Sequence, residues 1–185
     1  MLLFTLAGGV SAQLRIEGQT FDGRMRLADS ELRLNGVGLR AVAWLKGYAA
    51  GLYLTRKAST QEQALSSPGP KRLQMRMLQD VDAAEFVKAI GRGLAKNHGE
   101  VELAALRERS SRFEAMVDAV RKVRKGDVVD LDFLPGSGMV FSMNGVVRGA
   151  PIPGEDFYAG ILKIFIGDRP IDAELKRGLL GGPVG

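Results

Sequence analysis

The chain has 185 residues, of which 45% are hydrophobic and 25% are charged, a balance typical of one soluble globular domain. It has no cysteine and a single histidine, His98, which excludes thiolate metal sites, a disulfide scaffold and a cysteine nucleophile, and leaves one candidate base for a Ser-His-Asp hydrolase. The net charge of +5 includes a basic run at residues 121–125, but no aromatic residues interleave with it, so we expect no nucleic-acid binding.

The first twelve residues, MLLFTLAGGVSA, are apolar and end in a small-x-small pattern. This is typical of the second half of a secretory signal peptide with cleavage after Ala12, although no basic segment precedes it. The alternative is a buried first strand. The stretch is too short to span a bilayer, and no other segment is apolar enough, so we expect no stable membrane insertion. We therefore predict a truncated signal peptide at residues 1–12 and an exported, periplasmic domain at residues 13–185.

The first half of the domain is predicted to form strands. Residues 14–34 alternate apolar and charged side chains, which indicates short strands with one face buried. Asn35-Gly36 predicts a turn. Residues 37–55 carry few turn signals and predict one long strand, on which the even-numbered residues would share a face.

The second half alternates between helices and strands. Helical spacing of apolar residues and capping residues predict helices at 59–67, 82–96, 101–124, 155–166 and 172–180. Period-two patterns predict strands at 72–79, 127–134 and 139–143, and Asn144-Gly145 predicts a hairpin. Because hairpin-linked strands are antiparallel, the order predicts an α+β fold, with a large antiparallel sheet and helices on one face, and no second domain.

Three groups of residues with possible chemistry are given structural interpretations. Asp127, Asp130 and Asp132 alternate along a predicted strand, and its solvent face explains them better than a metal site does. His98 follows a predicted helix end, where a capping or solvent role is expected. The segment at residues 36–38 (GVG) lacks the third glycine of a dinucleotide-binding loop and predicts a turn. We expect neither a metal site nor a cofactor.

Arg40, Lys46 and Tyr48 lie in the most apolar stretch of the chain, where no acidic residue occurs between Asn35 and Thr55. A buried cation is costly unless it is paired. Two interpretations stay open from composition alone. The cations lie on a solvent-facing sheet surface, or the face is covered and Arg40 binds an anionic ligand.

Five further segments follow one another over nearly the whole chain after residue 13: GVGLRAVAWLKGYAAGLYL (36–54), SSPGPKRL (66–73), LQDVDAAEFVKAI (78–90), KGDVVDLDFLPGSG (125–138) and IPGEDFYAGILKIFIGDRPIDAELKRGLLG (152–181). In this order they resemble the bacterial chalcone isomerase-like proteins. The resemblance implies the chalcone isomerase fold, an open-faced sandwich in which a large antiparallel sheet packs against a layer of α-helices, with a cleft between them.

The same resemblance assigns candidate site residues. In plant chalcone isomerases an arginine binds the substrate phenolate and stabilises the developing enolate, and the matching residue here is Arg40. Their strand threonine is matched by Tyr48. Their tyrosine and asparagine would fall in residues 79–86 and near Ile90, where this sequence has neither. We therefore expect no true chalcone isomerase activity.

The plastid fatty-acid-binding proteins of the same fold hold a carboxylate with an arginine and a tyrosine, a combination that the resemblance assigns to Arg40 and Tyr48. We expect a small apolar or amphipathic ligand of this kind in the cleft. Six apolar residues are predicted to form its walls: Trp44, Leu52, Phe86, Ile90, Phe157 and Ile161. The alternative is an intramolecular lyase or isomerase acting on a small phenolic or enone substrate, with Arg40 as electrophile and Tyr48 as the candidate proton donor. A third hypothesis is a structural envelope protein with a vestigial cleft.

Overall fold

A computed structural model describes residues 13–42 and 45–183, and this part of the chain forms eleven strands and five helices. The strands are β1 (Gln13–Ile16), β2 (Gln19–Asp22), β3 (Arg24–Leu27), β4 (Ser30–Val42), β5 (Leu45–Leu54), β6 (Lys71–Met77), β7 (Val81–Asp82), β8 (Lys122–Val123), β9 (Val128–Leu134), β10 (Gly138–Met143) and β11 (Val146–Val147). The helices are α1 (Gln61–Leu65), α2 (Ala83–Asn97), α3 (Glu100–Asp118), α4 (Glu155–Ile166) and α5 (Ala173–Leu179).

The centre of the fold is a seven-stranded sheet in the order β11-β10-β9-β6-β5-β4-β3. Every neighbouring pair is antiparallel. The helices pack against one face of this sheet, and the hairpin β1–β2 forms a small core with the other face. The predicted α+β architecture, with a large antiparallel sheet and a layer of helices, is confirmed.

The predicted long strand at residues 37–55 is wrong, because this segment contributes to two antiparallel strands, β4 and β5. The turn predicted at Asn35-Gly36 is a bulge inside β4, where the register shifts between Leu34 and Gly36. The Asn35 side chain is buried there, donates to the carbonyls of Ala58 and Leu179, and accepts from the Ala58 N–H. Its polar group is satisfied without a turn, so the strand continues.

The bulge decides which side chains of β4 face the helices. Before it, Leu32 and Leu34 point into the small core on the far side, and after it Val37 does so. Gly36 and Gly38 therefore face the helices, where an added Cβ would lie 2.1 Å from the Gly178 carbonyl oxygen and 2.6 Å from the Leu175 carbonyl oxygen, respectively. The turn predicted for the GVG segment is thus wrong. These glycines allow α5 to lie directly on the strand.

The helix layer follows the prediction except at α3. This helix ends at Asp118 rather than at residue 124, because Arg121 takes a left-handed conformation (φ 68°) and the chain then pairs as β8 with β7. Helix α4 is the most buried of the five, since eight of its twelve residues are inaccessible to solvent. It lies in the middle of the layer and packs against α2 and α5.

Candidate ligand-binding site

A cavity of about 270 Å³ lies between the sheet and the helix layer. Its walls are apolar side chains from the sheet and from three helices: Met75, Val129, Leu131 and Phe141 from the strands, Phe86, Ala89 and Ile90 from α2, Phe113 and Val117 from α3, and Ile161, Ile164 and Phe165 from α4. Four polar side chains also line it, namely Arg40, Tyr48, Glu85 and Arg92. The arrangement is that of a site for an apolar molecule with a polar group at one end.

Arg40 and Tyr48 are brought together by the β4–β5 hairpin. They are directly opposite each other in the antiparallel register, which puts both side chains on the helix face of the sheet. The sequence analysis placed the two side chains on one face because both have even numbers in a single predicted strand. They do share a face, but the reason is that two neighbouring strands place them opposite each other. Lys46 is different, since it is half exposed and pairs with Glu17 at 2.8 Å.

Arg40 is held by two contacts of one guanidinium nitrogen. Nη1 donates to the Ala41 carbonyl at 2.6 Å and to Asp172 Oδ2 at 3.2 Å. Side-chain exposure is 22% for Arg40 and 14% for Asp172, so the pair is mostly shielded from water. The Nε and Nη2 groups make no hydrogen bond within the described residues. Three N–H donors of the guanidinium, one on Nε and two on Nη2, are therefore available to a ligand.

Asp172 was not predicted as a site residue, although the sequence placed it at the start of the last helix. Its Oδ1 accepts from the Leu175 N–H at 3.0 Å and so caps α5, while Oδ2 binds Arg40. One carboxylate thus fixes both the helix terminus and the guanidinium. Only the N-cap pattern was visible in the sequence, because the contact to Arg40 spans 132 positions.

Tyr48 is 6% exposed, and its hydroxyl has no hydrogen-bond partner within the described residues. Burial raises the pKa of Tyr48 well above its ordinary value of 10.0, and the Asp172 carboxylate raises it further, while the Arg40 guanidinium opposes both. The hydroxyl is therefore neutral at physiological pH. It can donate one hydrogen bond to an acceptor placed beside Arg40.

The other predicted wall residues divide into three groups. Phe86, Ile90 and Ile161 line the cavity. Leu52 and Phe157 are fully buried but lie in the core away from the lining. Trp44 falls outside the described residues.

The sequence missed the contribution of α3 and of the central strands to the walls. One side of the cavity is closed by Val117 of α3, Val120 in the turn after α3 and Val123 of β8. On the sheet side, Val129 and Leu131 alternate with Asp130 along β9. The period-two pattern identified these residues as the buried face of a strand, but it carried no information on which buried face borders a cavity.

The two alternating aspartates of β9 are not on a solvent face, which corrects the sequence interpretation. Asp130 and Asp132 are each 5% exposed. Asp132 accepts from Arg72 Nε and Nη2 at 2.6 and 2.5 Å, and Asp130 accepts from Gln74 at 2.9 Å. Their partners lie on the neighbouring strand β6. The remaining aspartate, Asp127, is partly exposed and accepts from Arg124 and Asn144 in the adjoining turns.

His98 has the predicted capping role, because its Nδ1 lies 3.0 Å from the Leu94 carbonyl at the end of α2. Within residues 13–42 and 45–183, no group of three or more His, Cys, Asp or Glu side chains is arranged to hold a metal ion. No helix in that part of the chain is long and apolar enough to cross a membrane.

Comparison with known proteins identifies the fold. Residues 13–181 match the model of a family described as chalcone isomerase-like. A crystal structure of a fatty-acid binding protein of Arabidopsis thaliana superposes with a TM-score of 0.70 over 91% of this chain and 96% of that chain, at 17% sequence identity. A search of curated proteins found no match. Because the family match covers almost all of the described fold, this chain belongs to the chalcone isomerase-like family.

Proposed function

We propose that this protein binds an amphipathic molecule, with its apolar chain in the cavity and an anionic head group at Arg40 and Tyr48. The observation that carries the proposal is the position of these two side chains, opposite each other at a cavity whose other walls are almost entirely apolar. Guanidinium N–H groups and a neutral phenol are the donors that a carboxylate needs. The solved relative described as a fatty-acid binding protein supports this chemistry.

The cavity sets the length of the apolar chain. A methylene group is about as large as a water molecule, which occupies about 30 Å³ in the liquid, so a volume of about 270 Å³ has room for roughly nine such groups. Burial of each contributes about 0.8 kcal/mol, which gives an upper limit of roughly 7 kcal/mol before the entropy cost of binding. Decanoate is therefore a suitable first probe.

Calorimetric titration with decanoate tests the role of Arg40. We expect Arg40→Ala to weaken binding by about 2–5 kcal/mol, because a charge-assisted contact in a mostly desolvated site is lost. Arg40→Lys should recover only part of this loss, since an ammonium cannot form the planar fork. Arg107→Ala is the matched control, because Arg107 is exposed on α3 and lines no part of the cavity.

A double variant separates binding by Arg40 from repulsion by Asp172. Arg40→Ala leaves Asp172 without its partner and facing the ligand, which alone would weaken the binding of an anion. In Arg40→Ala/Asp172→Asn the repulsion is removed, and asparagine still caps α5. Binding that stays weak in the double variant supports a direct contact from Arg40. Equal affinities of the wild type and Arg40→Ala would contradict the proposal.

Export is the second part of the proposal. The family match begins at residue 13, directly after the predicted cleavage site. This supports a mature chain that starts at Gln13 and is delivered to the periplasm. N-terminal sequencing of protein recovered from its native host should find Gln13 first, whereas an intact Met1 on a cytoplasmic protein would contradict export.

A further inference from the structure

A second cavity of about 340 Å³ adjoins the apolar one, and we call it the basic groove. Four cationic side chains line it: Arg40, Arg92, Lys96 and Arg169. The remaining lining is Ala89, Gly93 and Ile171. Arg40, Ala89, Arg92 and Ile171 also line the apolar cavity, so the two spaces meet at Arg40.

The groove brings together several positive charges that repel one another. Arg92 and Lys96 are four residues apart on α2, a spacing at which like charges destabilise a helix. Arg169 is added from the segment between α4 and α5, where the Asn97 side chain accepts from its N–H at 3.0 Å and donates to its carbonyl at 2.9 Å. Helix α2, through Asn97, therefore holds the backbone of Arg169 in place.

This concentration is only partly neutralised. Within the described residues, Arg92, Lys96 and Arg169 have no carboxylate within 4.0 Å, and Asp172 compensates Arg40 alone. The nearby Asp168 accepts from Gln61 and does not line the groove. The lining of the groove thus carries four cations and no carboxylate. Glu85 lines the adjoining apolar cavity, and Glu62 and Asp168 line a neighbouring polar cavity that Lys96 and Arg169 also border. The additional positive charge thus lies beside Arg40: Arg92 borders both cavities, and Lys96 and Arg169 border the groove but not the apolar cavity.

A carboxylate does not make full use of this surface. At the mouth it would meet Arg40 already paired with Asp172, and its single charge would leave the cations of the groove unused. A phosphate monoester carries about −1.5 to −2 at pH 7 and three strong acceptor oxygens, which match several N–H donors on separate side chains.

We infer that the head group of the ligand is a phosphate, bound in the basic groove by Lys96, Arg169 and Arg92 beside Arg40, with the apolar chain in the cavity. This inference rests on the proposed function and specifies its ligand class. The shared chemistry is that of a single-chain alkyl phosphate and of a phosphate-bearing lipid.

Titration with decyl phosphate and with decanoate tests the inference. Both probes carry a chain of the same length, so a difference in affinity reports the head group. We expect the wild type to bind decyl phosphate about tenfold more tightly, with an advantage that shrinks as the salt concentration rises. In Lys96→Ala/Arg169→Ala, this advantage should disappear while decanoate binding stays unchanged. Arg107→Ala/Lys125→Ala removes the same charge from exposed positions outside both cavities and should keep the advantage.

The outcomes separate the two proposals. If decanoate binds and decyl phosphate gains nothing, or if its gain survives in Lys96→Ala/Arg169→Ala, the phosphate inference is overturned and the proposed function stands. If neither probe binds, the proposed function fails. Vesicles of phosphatidylcholine containing lysophosphatidate, a phosphate lipid with a single acyl chain, identify the source: transfer of lysophosphatidate to the protein indicates a membrane lipid, and binding of decyl phosphate alone indicates a free phosphate amphiphile.

Discussion

Arg72 connects strands β6 and β9 through a two-point ion pair with Asp132, and its Nη1 lies 3.6 Å from Asp130. The three side chains are almost completely withdrawn from water. Burial raises the pKa of Asp132, and the hydrogen bonds from Arg72 oppose this shift. The guanidinium is therefore what makes the burial of two adjacent carboxylates tolerable.

We expect Arg72→Ala to destabilise the fold at pH 7 by about 3–5 kcal/mol, because it leaves buried carboxylates without a partner. The loss should be smaller at pH 5, since the pKa of Asp132 rises further without Arg72 and its protonated form is cheaper to bury. Urea unfolding at the two pH values measures both effects. Arg26→Ala, at an exposed position of β3, is the control and should change stability little. A loss that does not depend on pH would argue against the electrostatic cause.

For individual residues, the sequence predicted which side chains share a face of a strand better than it predicted which side chains contact each other. The alternation along β9 is the same whether Asp130 and Asp132 meet water or Arg72, and the deciding cation lies about 60 positions away. For the same reason the sequence placed Arg40 and Tyr48 together but missed Asp172. Contacts between distant residues depend on strand order, which a local pattern does not contain.

Among the elements, β4 and α5 make a close backbone contact because glycines of both elements lie at the crossing. Gly36 and Gly38 lie on the strand and Gly178 on the helix, where an added Cβ on Gly178 would lie 2.2 Å from the Val37 carbonyl oxygen. The contact holds α5 where its N-cap, Asp172, reaches Arg40. Local packing of glycines thus positions a charged group of the site.

Gly36→Ala should therefore destabilise the fold by about 2–3 kcal/mol, the upper part of the range for overpacking, because backbone atoms of α5 block the new methyl group and cannot rotate away. Thermal or urea unfolding measures this loss. Gly91→Ala is the matched control. Its Cβ would meet nothing closer than 3.8 Å inside α2, so we expect stabilisation by up to about 1 kcal/mol. Similar effects of the two substitutions would contradict the close contact.

Most helices were predictable because their apolar stripes are long and their caps are local. The hairpin between β4 and β5 was not predictable, because the sequence there, VAWL, contains none of the residues that favour turns. Asn35-Gly36 is a pair that favours turns, but it lies inside a continuous strand. The side chain of Asn35 forms the hydrogen bonds that a turn would otherwise explain. A pattern that is typical of a turn was here satisfied by a bulge.

At the scale of the whole molecule, the fold produces a cavity, whereas the polar side chains that line the cavity decide which chemistry it can support. The polar side chains that line it within the described residues are Arg40, Tyr48, Glu85 and Arg92. No asparagine is among them, although the resemblance placed that of the chalcone isomerases near Ile90. Each missing donor of this kind typically costs about 10²–10³ in rate. The chain thus has the fold of the family, but the polar side chains that line its cavity differ from those that the resemblance assigns to the chalcone isomerases.

We therefore expect no useful acceleration of chalcone cyclisation. The absorbance of a hydroxychalcone, followed with and without protein, measures the rate against the spontaneous reaction in the same buffer. Turnover of roughly 1 per second or faster, which is within the ordinary range of enzymes, would contradict this expectation and favour the lyase or isomerase hypothesis. Loss of that turnover in Arg40→Ala would then assign Arg40 as its electrophile.

The three tyrosines of the chain, Tyr48, Tyr53 and Tyr158, are all buried and all resist ionisation. Burial raises the pKa of Tyr53 to about 12, and it raises the pKa values of Tyr48 and Tyr158 further. In the unfolded chain each would titrate near its ordinary value of 10.0. Between these values the folded state binds more protons than the unfolded state, so stability is complete below pH 10 and is lost as the pH rises above it.

The fold should accordingly become about 3 kcal/mol less stable between pH 10 and pH 11, since each of three buried phenols contributes about 1 kcal/mol over this interval, in which the unfolded phenols are still partly protonated. Urea unfolding at pH 9, 10 and 11 measures the slope, and ultraviolet titration of the folded protein should show no tyrosinate until unfolding begins. In Tyr53→Phe the loss should be about one third smaller, because that hydroxyl has no hydrogen-bond partner within the described residues and only its ionisation is removed. Tyrosinate formed near pH 10 by protein that remains folded would show that a phenol is open to water, and would remove Tyr48 as a neutral donor to the ligand at that pH.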